Sequence, residues 1–90
     1  MSKVKELQVV QVTWVDSVSH NAWAKEEDLP TVDDLMVVSV GILVMDVKSH
    51  IVLSTSYHEG SGKFVDPITI PRCAVSAIST LKTIEVDEVD

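Results

Sequence analysis

Residues 7 to 15, LQVVQVTWV, alternate Val10, Val12 and Trp14 with Gln11 and Thr13, the period of two of a half-buried strand. Val9 and Val15 add apolar surface to the other face. In DSVSHNAWAKEEDLP, Asp16, Ser17, Ser19 and Asn21 can cap or turn the backbone, AWAKEEDL supplies helix formers and Pro30 closes the segment. This predicts a short helix over residues 22 to 28, with an irregular polar loop as the alternative. Leu35 to Val47 is almost wholly apolar, long for one flat strand and suited to a bent one, with Gly41 at the bend. Polar and turn-tolerant residues cluster only at 46 to 50, so two strands meet there and Asp46 serves the turn by accepting backbone N–H groups. HEGSGKF, with Gly60 and Gly62, reads as a flexible loop. Pro67 and Pro71 bracket ITI, a short strand expected near an edge or a corner. RCAV fits one helical turn, and SAISTLKTI a last strand with Ile78 and Leu81 in the core.

About five short strands with at most one small helix predict a mainly all-β fold, a small barrel or sandwich. The expected domain covers residues 1–84, and 85–90 form an acidic tail. Ninety residues make one domain, and 46% hydrophobic content builds its core without staples.

Fourteen acids against seven bases give a net charge of −7, and Glu85, Asp87, Glu88 and Asp90 crowd the end of the chain. This balance argues against phosphate-driven binding of nucleic acid and suits a basic partner surface. Cys73 is the only cysteine, so no internal disulfide forms, and its apolar neighbours predict a buried inert thiol. MSKVKELQVV lacks the apolar core of a signal peptide, and residues 35 to 47 are too short to span a bilayer. A soluble cytoplasmic protein is expected.

The succession of strand, Gly-bent strand, tight turn, strand, glycine loop, short strand, helical turn and strand resembles the SH3-like barrel in its Sm-like variety. Gly41, Asp46 and Leu53 follow the order of the first Sm signature, with the Asp-to-Leu spacing preserved and the Gly-to-Asp spacing one residue shorter. Ile68, Ile70, Val75 and Ile78 echo its second element, where Pro71 and Arg72 replace the Arg-Gly pair. The resemblance implies a five-stranded barrel that self-associates by strand addition. RNA binding does not carry over, because the residues that perform it are altered. VTWVDSVS, VVSVGILV, IVLSTS and ITIPRCAVSAI, over residues 10 to 81, also resemble a widespread family of small bacteriophage proteins with no activity to carry over. That resemblance implies work in a host bacterial cytoplasm.

His20, His50 and His58 are the natural ligand or base candidates, but no pair has metal-site spacing, and no Ser or Cys stands in a nucleophile motif. Neither metal, cofactor nor enzymatic activity is expected. Trp14 reads as core. Trp23 either pins its polar loop or offers a contact anchor. Arg72, the only arginine, caps a turn or pairs with an acid, or else grips an anion. Trp23, Arg72, Asp16 and His58 are the expected binding residues. The function expected is a non-catalytic phage accessory protein, a homo-oligomer that blocks or sequesters a host protein or small ligand to counter host defence or redirect host machinery. Its acidic loop 26 to 34 and its tail would oppose a basic host surface. The alternatives are an Sm-like nucleotide- or RNA-binding oligomer and a small virion structural protein.

Overall fold

The computed structural model describes residues 4–17 and 23–87. Alternation at the start of the chain becomes β1 (Val4–Val15), and the apolar stretch after the acidic segment becomes β2 (Met36–Asp46). β3 (His50–Ser54), β4 (Ser56–His58), β5 (Lys63–Val65), β6 (Ile68–Pro71) and β7 (Val75–Asp87) follow. All pairings are antiparallel, and the main sheet has the order β6-β3-β2-β1-β7, with β4 and β5 forming a separate hairpin. The fold is mainly β, as expected. A closed five-stranded barrel is not what forms: β6 and β7 end the sheet without pairing to each other.

The sheet curls so that one face packs on itself. Val10, Val12 and Trp14 of β1 meet Ile51 and Leu53 of β3 and Ile70 of β6, with Val37, Leu43, Ala74 and Val75 packed around them. Fully burying one such aliphatic side chain contributes about 1.5–3 kcal/mol. Trp14 belongs to this core, and its indole N–H donates to the Ser39 hydroxyl at 3.0 Å, so its polar edge is satisfied.

Strands β2 and β3 meet at residues 47–49, and the Val47 N–H donates to the His50 carbonyl at 3.1 Å. Gly41 serves close approach, since a Cβ there would lie 2.9 Å from the Ser54 carbonyl oxygen, and the irregularity of β2 lies instead between Leu43 and Met45. The predicted helix over 22 to 28 reduces, within the described residues, to one 3-10 turn at Glu26–Asp28. Its residues are all exposed and bury no apolar face, and a segment this short needs one to persist. A second 3-10 turn, Asp33–Leu35, leads into β2, and a third, Arg72–Ala74, occupies the helical turn expected at RCAV.

Four further expectations are corrected. The glycine loop at residues 58 to 64 is the turn of the β4–β5 hairpin, where Ser61 and Gly62 donate backbone N–H groups to the His58 carbonyl at 3.3 and 2.8 Å. Ser54 sets that hairpin's path: its buried hydroxyl bonds the Val65 and Ser56 carbonyls, which ends β3 one residue before β4 begins. Ile78 and Leu81 are exposed rather than core. Val9 pairs with Lys82 and Val10 with Thr80, so Leu81 is the extra residue of a bulge, while Ile78 sits on an edge strand. Cys73 is exposed, being carried on the third 3-10 turn. β7 also runs through Glu85 to Asp87, the first half of the expected tail, and residues 88–90 lie outside the described residues.

Candidate binding surface

The connection from β1 to β2 is closed at its base by the backbone N–H of Asp16, which donates to the Leu35 carbonyl at 2.9 Å. The Asp16 carboxylate turns back to accept the Ser17 N–H at 2.8 Å. Beyond this closure the chain carries Glu26, Glu27, Asp28, Asp33 and Asp34 against a single base, Lys25, all exposed. Trp23 is fully exposed, and Leu29 and Val32 are exposed with it. Trp23 therefore does not pin the loop. Asp34 stabilises the second 3-10 turn by accepting the backbone N–H and hydroxyl of Thr31 at 2.8 and 3.0 Å. Those bonds, the backbone one first, hold its carboxyl below the usual aspartate range.

Arg72 lies elsewhere. Its guanidinium donates to the Asp46 carboxylate and, at 2.9 Å, to the Val47 carbonyl, while its backbone N–H donates to the Ser49 carbonyl at 2.9 Å. It pairs with an acid and fastens the β2–β3 turn to the third 3-10 turn, and Asp46 serves the turn through this partner rather than through backbone N–H groups. A guanidinium so occupied has fewer donors left for a phosphate.

His58 is exposed at the start of the hairpin turn. Its Nδ1 accepts the Ser61 N–H at 3.1 Å and lies 2.9 Å from the Ser61 hydroxyl. His50 Nδ1 lies 2.7 Å from the hydroxyl of Ser49. His20 lies outside the described residues. Among the described residues no group of three or more His, Cys, Asp or Glu side chains converges as a metal site, and no helix is long and apolar enough to cross a membrane.

Of the four expected binding residues, only Asp16 and Trp23 share a structural unit, the β1–β2 connection. Arg72 and His58 each serve a local turn. Leu29 and Val32 were not singled out, and their signal was an apolar residue after the first acidic cluster and another before the second in KEEDLPTVDD. Also missed were Val38 and Val40, which point out of the sheet. β2 is apolar at both parities, a pattern that loads two faces when the core covers one. Comparison with protein-family models, with curated proteins and with solved structures finds no match for this chain.

Proposed function

We propose that this chain is a non-catalytic bacteriophage accessory protein of the bacterial cytoplasm that acts by occupying a host protein. The curled sheet, read as an open SH3-like scaffold, is the rigid body, and the β1–β2 connection is the contact element. The observation that carries the reading is Trp23, fully exposed on a loop whose base is closed by the Asp16–Leu35 bond and whose charge is almost wholly acidic. An exposed aromatic beside carboxylates suits a basic protein surface with an apolar pocket: the ring supplies buried area and the acids supply steering. Self-association belongs to the same reading.

Capture from bacterial lysate tests it with the wild type, Trp23→Ala and the pair Glu26→Lys, Glu27→Lys. Each substitution lies on exposed side chains and should leave the strand circular dichroism unchanged. A host protein held by the wild type should be lost with Trp23→Ala and weakened by the charge reversals. Indistinguishable capture by all three would refute the loop as the contact element.

A further inference from the structure

The described residues cover only part of the outer sheet face. Register places Val9 opposite Ile42, Gln11 opposite Val40, Thr13 opposite Val38 and Val15 opposite Met36, and it adds Ser79 beside Gln11 and Ala77 beside Thr13. Directly opposed residues share a face, and Ser39, which bonds Trp14, faces the core. Val38 and Val40 therefore point away from it.

At one end this outer face is roofed by the hairpin. The Lys5 ammonium lies 5.8 Å from the Tyr57 ring centre and 5.7 Å from that of Phe64, and Glu59 accepts the Asp87 N–H at 3.2 Å. Leu7, on the same face as Lys5, is buried there, and Ile42 is 8% exposed. At the next position along the face the roof ends: Val40 is 57% and Val38 61% exposed.

We propose that a second copy of this chain covers the bare region, stacking outer face on outer face about a two-fold axis. Sheets in globular proteins bury their apolar faces against a second layer, and among the described residues the layer over this face stops at Ile42. Charge selects the occupant. Residues 7–15, 36–45 and 75–81 of the three strands contain no charged side chain, so these strands offer no carboxylate to a basic partner. Another −7 chain can approach these uncharged strands without direct repulsion. A folded monomer of 9.9 kDa exposes about 5,200 Å², whereas this one exposes 6720 Å² with its exposed 23–35 connection included, an excess that leaves room for the ~800 Å² a partner buries in a stable interface. Ala77 and Ser79 are small, so the valine row of one copy can settle on the alanine–serine row of the other at the ~10 Å spacing of stacked sheets. The association is thus by face and not by edge.

This specifies the self-association part of the functional reading and is independent of its host-binding part. Native mass at micromolar concentration tests it with the wild type, Val38→Lys, Ala77→Glu and the control Val32→Lys, whose exposed site lies on the loop. The wild type and the control should have the mass of two copies, and the two face variants half of it with strand dichroism retained. A wild type with the mass of one copy overturns the proposal. So does an oligomeric mass that survives both face substitutions, which would indicate edge pairing. Should the substituted proteins fail to fold, the Val38 and Val40 methyl resonances of the wild type still decide, since they must shift on dilution and constancy overturns the proposal. Monomers that still capture a host protein through Trp23 would sink this inference alone, and dimers without that capture would sink the host-binding reading alone.

Discussion

Gly41 and Asp34 show how single residues set local geometry here. In an open strand, Gly→Ala gains about 0.5–1 kcal/mol of stability from reduced chain entropy. At Gly41 the added methyl meets the Ser54 carbonyl of the paired strand at 2.9 Å, and backbone cannot swing aside, so Gly41→Ala should cost about 1–3 kcal/mol in chemical denaturation. The sign of the change is the test, and a stabilised variant would remove the close approach from the account. Asp34 has a lowered folded-state pKa because Thr31 donates to its charged form. Its contribution to stability is therefore full above the unfolded-state pKa and is lost as pH falls through the lower folded one. Thr31→Ala removes the hydroxyl and keeps the larger cause, the backbone N–H. Its Asp34 should titrate by NMR between the wild-type position and that of an unperturbed aspartate, and an unmoved titration would contradict the assignment.

The elements differ in how far they could be read in advance. The β2–β3 turn was legible because Asp46, Lys48, Ser49 and His50 interrupt an otherwise apolar run, and β6 because two prolines confine it to an edge. The β4–β5 hairpin was not, since each of its strands has three residues and a buried hydroxyl at Ser54 rather than any periodicity directs it. Leu81 was misplaced for a related reason: a bulge shifts register through pairing with β1, which β7's own sequence does not record. Of the site, Trp23 and the acidic loop were legible from composition, whereas the roles of Arg72 and His58 depended on distant or turn-specific partners. Arg72 joins two turns through a partly exposed ion pair and a carbonyl, so Arg72→Ala should cost about 1 kcal/mol or less in thermal denaturation. Capture of a host partner should survive it; loss of capture with stability intact would make Arg72 a contact residue instead.

At the scale of the whole molecule, charge and apolar surface are segregated. The acids gather on the β1–β2 connection and the end of the chain, and the centre of β7-β1-β2 is free of charge on a face that the described residues leave without a second layer. Salt should then act oppositely on the two interactions: screening relieves repulsion between −7 copies and strengthens self-association, while it weakens the steering of a basic partner to the acidic loop. An interaction with a host protein that grows tighter in salt would contradict the electrostatic half of this picture. The central claim is that one chain leaves its sheet half covered and a second copy completes it. The most direct measurement is the thermal midpoint as a function of protein concentration, because a copy that binds only the folded state raises the midpoint by mass action. The account predicts a midpoint that climbs with concentration in the wild type and stays flat in Val38→Lys; a flat wild-type midpoint would contradict it.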